Sequence, residues 1–389
     1  MAKQNKPAIR FKGFTDAWEQ RKLSEIAGKV TEKNTGLQYV ETLTNSAEFG
    51  IISQRDFFDH DISKLGSLDG YYIVRNEDFV YNPRISTSAP VGPINRNKLG
   101  RTGVMSPLYT VFRPHDIDTT YLEHFFKCGY WYSFMNFNGD SGARSDRFSI
   151  KDDVFFQMPI PVPHIEEQRK IRLFLTQLDQ LITLHQRKYD KLQVLKKAML
   201  EKMFPKNGSS VPEIRFKGFT DAWEQRKLGA LCVEFKSGDF ISASDIAENE
   251  AYPVYGGNGL RGFTNHYNHD GEYALIGRQG ALCGNVNYAV GKSYFTEHAV
   301  AVRANKTNQT RFLYYLFSTM NLGQYSGQSA QPGLAVGNLV ELENVVPSKP
   351  EQEKIASFLS SLDHLITLHQ RELEKLQNIK KSMLEKMFV

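Results

Sequence analysis

Two segments of the chain have apolar side chains at the spacing of a coiled-coil helix. In the first segment the seven-residue steps fall on Ile171, Leu178, His185, Leu192 and Met199, with Phe174, Leu181 and Leu195 between them. In the second they fall on Ile355, Leu362, His369, Leu376 and Met383, with Phe358, Leu365 and Ile379 between them. Because such a stripe must be buried, the pattern predicts two long helices that pack as an antiparallel coiled coil.

The regions outside these helices have shorter hydrophobic runs, typical of mixed α/β domains. Predicted strands cover residues 70–74 and 107–112 in one region and 273–276 and 299–302 in the other, with helices near 121–130 and 310–320. Each region closes on a proline just before a long helix, at Pro163 and Pro347. We therefore expect an α+β protein with two mixed α/β domains held apart by the helices.

The chain contains an internal repeat, in which the flanking segments, here called the frame, are nearly identical while the inserts between them differ. Residues 9–23 recur without a change at 214–228, and residues 167–204 closely match 351–388. The inserts between these segments have little in common. This contrast predicts two different recognition modules on one repeated scaffold, related by a pseudo-twofold axis.

The repeats set the predicted domain boundaries. They are a first recognition domain with its constant element at 1–163, a spacer helix at 164–204, a linker at 205–213, a second recognition domain with the repeated element at 214–347, and a second spacer helix at 348–389. Because Pro205 and Pro212 cannot continue a helix, the linker is expected to be a flexible hinge between the halves.

Composition narrows the class of protein. The 389 residues are 41% hydrophobic, enough for two cores, and the net charge of +5 permits a polyanionic partner without requiring one. The three cysteines lie too far apart for a zinc site or a disulfide framework. With no signal peptide and no apolar run near the ~18 residues of a membrane span, we expect a soluble, cytoplasmic protein.

Several short segments resemble catalytic or cofactor-binding motifs, but the residues around them do not fit the structure that each motif requires. Residues 257–262 fit a dinucleotide-binding glycine pattern, but the following residues read as loop or strand instead of the required helix. Residues 291–293 lack the first glycine of a P-loop, and the Glu-His pair at 297–298 has no helical histidine partner for a metal. No catalytic residue and no metal site is predicted, so the chain itself is not expected to be an enzyme.

The architecture resembles the specificity subunits of Type I restriction-modification systems. The similarity covers essentially the whole chain and includes residues 252–259, 276–280, 296–299 and the helix start at 347–352, with a shorter counterpart at 163–168. Insert one departs from the glycine-rich pattern of insert two.

The resemblance implies a function without catalysis in this chain. Each variable domain would be a target recognition domain that reads one half of a bipartite, asymmetric sequence in double-stranded DNA. The helices would set the unread gap and dock two modification (methyltransferase) subunits, which use S-adenosylmethionine to methylate adenine N6. Restriction (translocase and endonuclease) subunits would add ATP- and Mg-dependent translocation and cleavage.

Helix length agrees with a role in spacing. About 40 residues at roughly 1.5 Å each form a rod of about 60 Å, which covers at most about 18 base pairs. A few base pairs read at each end leave an unread gap of under about one helical turn.

Arg and Lys suit guanine and Asn and Gln suit adenine, so such residues on loops are the candidates for base contacts. The candidates in the first insert are Gln54, Arg55, Asn82, Arg84, Arg144, Ser145 and Arg147; those in the second are Tyr255, Asn258, Arg261, Arg278, Gln279 and Gln331. The alternative for each residue is that its side chain is exposed to solvent and does not contact DNA.

Two further alternatives remain open from the residues. Lys188 and Glu372 occupy equivalent seam positions with opposite charge, which either favours pairing of the two helices within one chain or reflects a solvated edge. A non-enzymatic coiled-coil adaptor with variable ligand-binding domains is the rival function. It does not explain why the frame is repeated so closely while the inserts differ.

Overall fold

A computed structural model describes residues 6–57, 65–141, 146–206, 208–280, 282–327 and 333–388. The chain forms two compact units, of which the first comprises Met1–Leu184 with Glu372–Val389 and the second comprises His185–Arg371. Both dividing points lie inside the long helices. Each unit therefore contains one insert, the first part of one long helix and the last part of the other.

The first unit is built mainly from short strands. Its elements are β1 (Glu19–Lys22), β2 (Ala27–Lys29), β3 (Leu43–Ser46), β4 (Gly50–Ser53), α1 (Gln54–Phe57), β5 (Tyr72–Val74), β6 (Phe79–Tyr81), β7 (Ile94–Arg96), β8 (Gly103–Met105), β9 (Thr110–Pro114), α2 (Thr119–Lys127), α3 (Tyr132–Asn138), α4 (Asp152–Phe155), β10 (Pro159–Val162) and the start of α5 (Ile165–Lys202). Short 3-10 helices lie at Leu23–Glu25 and Leu65–Gly70.

A four-stranded antiparallel sheet in the order β2-β9-β6-β7 is the centre of the first unit. Because successive side chains on a strand point to opposite faces, Phe79 packs with Phe112 on one face while Val80 and Val111 belong to a second cluster. The aromatic face also packs against α2 through Phe126. The pairs β3-β4 and β5-β8 form two further small sheets.

The second unit repeats this plan with different strands. Its elements are β11 (Glu224–Lys227), β12 (Cys232–Ser237), β13 (Tyr252–Gly256), β14 (Gly259–Thr264), β15 (Glu272–Gly277), β16 (Val286–Val290), β17 (Tyr294–Phe295), β18 (Ala299–Ala304), α6 (Thr310–Thr319), α7 (Val336–Glu341), β19 (Glu343–Val346) and the start of α8 (Lys349–Met387). Short 3-10 helices lie at Leu228–Leu231, Ala243–Asp245 and Leu322–Tyr325.

The main sheet of the second unit has the order β12-β18-β15-β16, and β14-β13-β17 forms a second sheet. Ile276 and Val300 face the cluster that contains α6, whereas Leu275 and Ala301 face a smaller cluster on the other side. The six predicted strands and helices of the inserts are present, with ends shifted by up to three residues. The mixed α/β character of both domains is confirmed.

The repeated sequence makes several equivalent contacts in the two units. The strand of each constant element pairs with the strand that closes its insert, β1 with β10 and β11 with β19, in equivalent register. In each unit, a buried carboxylate at the start of the long helix accepts two hydrogen bonds from an arginine of the constant element. These pairs are Arg10 with Glu167, at 2.9 and 2.7 Å, and Arg215 with Glu351, at 2.7 and 2.8 Å.

The helices run antiparallel within each unit, as predicted. In the first unit Ile171 near the start of α5 belongs to the same core as Met387 at the end of α8, and Lys380 pairs with Asp179. The equivalent pair in the second unit joins Lys196 and Asp363 at 2.5 Å.

The predicted seam is right at some positions and wrong at others. The seven-residue steps Ile171, Leu178, Ile355 and Leu362 are buried. The intervening Leu181, Leu195 and Leu365 are 43%, 39% and 39% exposed, while Leu175 and Leu359 are fully buried instead. The reason is that each helix packs on its own insert as well as on the other helix, so the buried stripe turns toward the insert.

The two seam histidines face each other. The Nδ1 atoms of His185 and His369, which occupy equivalent positions in the repeated sequence, lie 3.1 Å apart. Lys188 is exposed and Glu372 is half-buried, and they belong to different units. Their pairing remains a prediction.

The linker is not a hinge between the compact units. The whole of 205–213 lies within the second unit, and the chain crosses between units inside α5 and α8. Met203 and Phe204 are buried before the linker, and the Ile214 N–H donates to the carbonyl of Lys202 at 2.9 Å after it. These contacts hold the end of α5 to the second constant element.

No helix in the described part of the chain is long and apolar enough to cross a membrane.

Candidate nucleic-acid interface

A cavity of about 480 Å³ in the first unit brings together Gln54, Asn82 and Arg84. Gln54 is the first residue of α1, directly after β4, while Asn82 and Arg84 follow β6. We call this space the amide cavity. The other side chains that line it are Thr44, Asn45, Ser46, Ala47, Phe57, Tyr71, Ile85, Ser86, Pro93, Ser106, Leu108 and Tyr109.

The floor of the amide cavity is an asparagine network that sequence reasoning missed. Asn45 is 1% exposed, and its Nδ2 donates to the carbonyls of Val80 at 2.7 Å and Pro93 at 3.3 Å. Its Oδ1 accepts from Asn95 Nδ2 at 2.8 Å. This buried amide ties β3 to β6 and to the residue before β7. A lone asparagine in an otherwise unremarkable segment has no pattern that would have identified it.

Asn82 belongs to the same network. Its Nδ2 donates to the Asn45 carbonyl at 2.8 Å, and its Oδ1 accepts from the Arg84 N–H at 3.0 Å. Both ends of this predicted base-reading amide are therefore engaged within the protein. This arrangement suits a role in shaping the loop.

Gln54 and Arg84 have hydrogen-bonding capacity left. The Gln54 amide nitrogen makes one long contact to the Leu43 carbonyl at 3.5 Å, while its Oε1 is buried without a partner among the described residues. Arg84 is exposed. One buried, unpaired acceptor and one exposed cationic group thus lie at the same cavity.

The other first-unit candidates lie close by or outside the described residues. Arg147 is exposed, and its backbone pairs with that of Arg84. Arg55 is exposed on α1 beside Gln54, and its charge acts on Glu41. Arg144 and Ser145 lie outside the described residues.

In the second unit the candidates gather at the tip of the β13-β14 hairpin. Asn258 lies exposed in the turn, and the glycine pattern at 257–262 continues into strand β14, which confirms that it does not open a helix. The hairpin tip approaches the end of β15 so closely that a methyl group on Gly277 would lie 2.2 Å from the carbonyl oxygen of Gly257. Glycine is needed here for this contact and places Asn258 near the residues after β15.

Arg278 and Gln279 follow β15 directly. The Arg278 guanidinium donates to the Leu334 carbonyl and to Ser237 Oγ, both at 3.3 Å, and its N–H donates to the His298 carbonyl at 2.8 Å. These long side-chain bonds hold the arginine in place, while Gln279 is exposed.

The remaining second-unit candidates differ in exposure. Tyr255 is half-buried against Phe295, and burial raises the pKa of its hydroxyl. Arg261 is exposed, and its Cδ would lie 2.6 Å from a methyl group on Gly256. Gln331 lies outside the described residues.

Two polar groups near this hairpin were not predicted to bind DNA. Glu297 and His298 contact each other at 3.3 Å, and the Glu297 Oε2 and His298 Nδ1 are buried without partners among the described residues. A methyl group on Gly257 would lie 2.9 Å from the His298 carbonyl, so this pair adjoins the hairpin tip. In the sequence, the pair lies within residues 296–299, one of the segments that carry the family resemblance.

A second hydrogen-bonded network in this unit joins Glu234 of β12 to Tyr273 of β15 and to His269. Glu234 accepts hydrogen bonds from Tyr273 Oη at 3.0 Å and contacts His269 Nε2 at 3.1 Å. Burial opposes ionisation of Glu234, but the hydrogen bonds from Lys236 and Tyr273 outweigh it and lower the pKa of this carboxyl group. Burial lowers the pKa of His269. The network holds the end of β12 to β15.

Both sites offer hydrogen-bond donors, acceptors and cations.

Burial raises the pKa of the Cys128 and Cys232 thiols to about 12, so these thiols stay protonated near neutral pH and are poor nucleophiles. The described residues contain no group of three or more His, Cys, Asp or Glu side chains that could hold a metal ion.

Comparison with known protein families shows that one family model matches both halves of the chain. A model of the Type I restriction modification DNA specificity domain matches residues 15–194 and again residues 220–378. The specificity subunit of the Type I restriction enzyme EcoprrI from Escherichia coli is 45% identical over 146 residues, which are 36% of this chain and 36% of that relative. The specificity subunit of the MjaVIII enzyme from Methanocaldococcus jannaschii is 22% identical over 266 residues, 60% of this chain and 62% of the relative. The chain thus covers less than two thirds of the length of these curated relatives.

A solved structure has the same fold over its full length. The crystal structure of a Type I restriction-modification S subunit from M. genitalium superposes with a TM-score of 0.67, covering 99% of each chain at 15% sequence identity. At this identity the likeness concerns the fold alone.

Proposed function

Because the chain belongs to the Type I restriction-modification DNA specificity family, which matches both of its halves, we propose that it selects the DNA sequence on which such a system acts. Each insert reads one part of a bipartite target in double-stranded DNA. The inserts differ, so the two parts differ and the target is asymmetric, unlike the palindrome bound by a homodimer.

The observation that carries this proposal is the contrast between a repeated frame and unequal polar sites. The frame contacts Arg10–Glu167 and Arg215–Glu351 are equivalent down to the atoms involved. In the first unit the candidate residues line the amide cavity, whereas in the second unit they lie at the hairpin tip around Asn258. A scaffold that is conserved between repeats while its exposed amides and arginines change suits two modules with different base preferences.

The available groups are of the kinds that read DNA. Exposed arginines at the first site, such as Arg84 and Arg147, suit phosphate or guanine, and the exposed Asn258 and Gln279 at the second site suit adenine. Among the predicted residues Asn82 and Arg278 instead orient their neighbours, because their side chains already bond within the protein.

The long helices are proposed to set the distance between the half-sites and to dock two modification subunits. Helix α5 contains 38 residues, which at about 1.5 Å each extend about 57 Å. It carries the chain from the first unit into the second, so its length limits how far apart the bases read by the two units can lie.

Catalysis is proposed to reside in the partner subunits. The modification subunits would use S-adenosylmethionine, and the restriction subunits would use ATP and Mg. Within this chain the buried thiols stay protonated, and the exposed amides and guanidinium groups at both sites suit binding and orientation of a partner.

The coiled-coil adaptor hypothesis is not supported. The family match extends through both inserts as well as through much of the helices, since it covers residues 15–194 and 220–378. An adaptor with unrelated ligand-binding domains would match in the helical frame alone.

A gel-shift titration tests DNA binding. The full chain, alone and purified with its modification subunits, is titrated against duplexes that contain the site found by sequencing methylated bases in cells that carry the gene. We expect binding to the cognate duplex to be at least about a thousandfold tighter than to a scrambled duplex of equal length, as is typical of sequence-specific proteins. Equal affinity for both duplexes with and without the partners would overturn the proposal.

A further inference from the structure

The two long helices bring one histidine each into contact. His185 of α5 and His369 of α8 both belong to the second unit. Their Nδ1 atoms are 3.1 Å apart and their ring centroids are 5.0 Å apart, with an angle of 68° between the ring planes. Because the two nitrogens are closer together than the two centroids, both Nδ1 atoms face the space between the rings.

The sequence places the same ring at the same level of both helices. The heptapeptide Leu-Ile-Thr-Leu-His-Gln-Arg occurs at residues 181–187 and again at 365–371. Leu362 and Ile366, on the turns before His369, are only 5% and 8% exposed. Since residues three or seven positions apart lie on one face of a helix, the burial of these side chains also fixes the direction in which the ring of His369 points.

The separation of the two nitrogens matches that of two ligands on one metal ion. Zinc binds histidine nitrogen at about 2.0–2.1 Å, so two such nitrogens lie about 2.8–3.4 Å apart when the angle at the metal is between a right angle and the tetrahedral value. The observed 3.1 Å lies within this range. The rings therefore need no large movement to bind one ion together.

Imidazole ligands select the kind of ion. Their nitrogens suit zinc, nickel and copper, whereas magnesium and calcium prefer oxygen ligands. Histidine side chains are mostly neutral above about pH 7 and can then coordinate a metal. Within the described part of the chain no third His, Cys, Asp or Glu completes a site with this pair, so water would fill the other positions. Both rings are half-buried, which leaves room for that water.

One neighbouring charge opposes a bound cation and therefore allows a test with a defined sign. Burial, followed by the charges of His185 and Lys188, lowers the pKa of His369. The Lys188 ammonium group is thus close enough to act on the histidine pair. It would also repel a divalent ion there, so removal of its charge should strengthen metal binding.

We propose that His185 and His369 bind one divalent transition-metal ion, of which zinc is the example tested, between their Nδ1 atoms and so link α5 to α8 within the second unit. The inference is independent of the proposed DNA-reading function, because it concerns the two helices alone. A direct hydrogen bond between the rings accounts for the same distance without an ion, and the experiment separates these two explanations.

The test uses the full chain, purified without a polyhistidine tag and freed of metal with a chelator that is then removed. The unfolding temperature is measured at pH 7.5 with increasing zinc chloride or magnesium chloride, and equilibrium dialysis counts the zinc ions bound per chain. The proteins are the wild type, His185→Gln, His369→Gln, Lys188→Gln and the control His364→Gln, which makes the same substitution at an exposed histidine of α8.

We expect zinc, but not magnesium, to raise the unfolding temperature of the wild type by about 2–4 °C once free zinc exceeds Kd about fivefold. His185→Gln and His369→Gln should each lose this rise and bind one zinc fewer per chain, while His364→Gln should match the wild type. Lys188→Gln should reach the same rise at about two- to fivefold lower zinc, because an exposed charge no longer repels the ion.

Several results would overturn the inference. An unchanged unfolding temperature and no zinc bound by the wild type would mean that the rings share only a hydrogen bond. An equal zinc response in the wild type and in both His185→Gln and His369→Gln would place any bound zinc elsewhere, and loss in only one of these variants would show that the ion does not bridge the helices. A rise with magnesium of the same size would identify a general effect of salt. If Lys188→Gln needs as much zinc as the wild type, the ion does not lie beside this pair. Each comparison is between shifts caused by zinc, so a variant that is less stable without metal still gives an answer.

Discussion

Acid should destabilise the first unit through the buried ring of His124. This residue on α2 is 2% exposed, and neither ring nitrogen has a hydrogen-bond partner among the described residues. Burial lowers its pKa from 6.5 to about 4, the charge of Lys127 adds to the shift, and Asp179 opposes it. The folded protein therefore holds the ring neutral at pH values where an unfolded chain would protonate it.

The sign and size of the effect follow from proton linkage. The unfolded chain binds a proton as the pH falls through 6.5, while the folded chain does so only near 4. Stability is thus fully present above about pH 6.5 and is lost as the pH falls toward 4, by about 3 kcal/mol in total and by about 2 kcal/mol at pH 5. For a unit of this size, 2 kcal/mol corresponds to a decrease of about 4–8 °C in the unfolding temperature.

Thermal unfolding of the full chain at pH 7 and pH 5 measures this contribution. In His124→Leu the decrease in unfolding temperature between the two pH values should be smaller than in the wild type by about 4–8 °C. His364→Leu, on the exposed side of α8, is the matched control and should behave like the wild type. Equal acid sensitivity of wild type and His124→Leu would refute the reasoning.

Three further predictions concern the frame. Glu351→Gln removes the buried charge partner of the half-buried Arg215 and should cost about 1–3 kcal/mol of unfolding free energy, whereas Glu341→Gln, in an exposed pair, should cost measurably less; urea unfolding compares them. Inserting one heptad after Tyr189 adds about 10 Å of helix and should lengthen the unread gap or abolish methylation, as read by sequencing of methylated bases. If Lys188 and Glu372 attract each other, Glu372→Lys should lower the unfolding temperature slightly and adding Lys188→Glu should restore it.

Each of these has a distinct contrary result. Equal costs for the two glutamate substitutions would mean that the pair with Arg215 contributes no more than a surface contact. Methylation at the original spacing and strength after the heptad insertion would show that the helices do not measure distance. Simple addition of the effects at Lys188 and Glu372 would identify them as independent solvated side chains.

The repeated frame was predictable because its pattern is long and occurs twice. The seven-residue steps through Ile171 and Leu178 identify the buried face of α5, and the same steps predict α8. The proline after each insert marks the start of the following helix. Such features depend on local spacing, which the chain displays directly.

The parts that could not be predicted depend on contacts between distant residues. Leu181 is exposed although its spacing suits the seam, because the insert draws the buried face toward Leu175. Nothing in the local sequence separates these two leucines. Likewise, Pro205 correctly ends the helix, but the burial of Phe204 against Trp223 ties the linker to the second unit.

The candidate site was predictable as a set of residue types but not as a geometry. Gln54 and Asn82 were both selected as amides suited to adenine. The structure distinguishes them, since the Asn82 amide is fully bonded to the backbone whereas the Gln54 oxygen has no described partner. Asn45, which organises the amide cavity, has no sequence signal because a single buried asparagine follows no periodicity.

Exchange of one insert is the most direct test of the claim that this chain carries two independent readers of one bipartite site. Residues 24–163 are replaced by the corresponding insert of another family member, and methylated bases are sequenced genome-wide in cells that carry either gene. We predict that one half of the methylated site changes while the other half and the gap stay the same. A change in both halves, or in neither, would contradict the account.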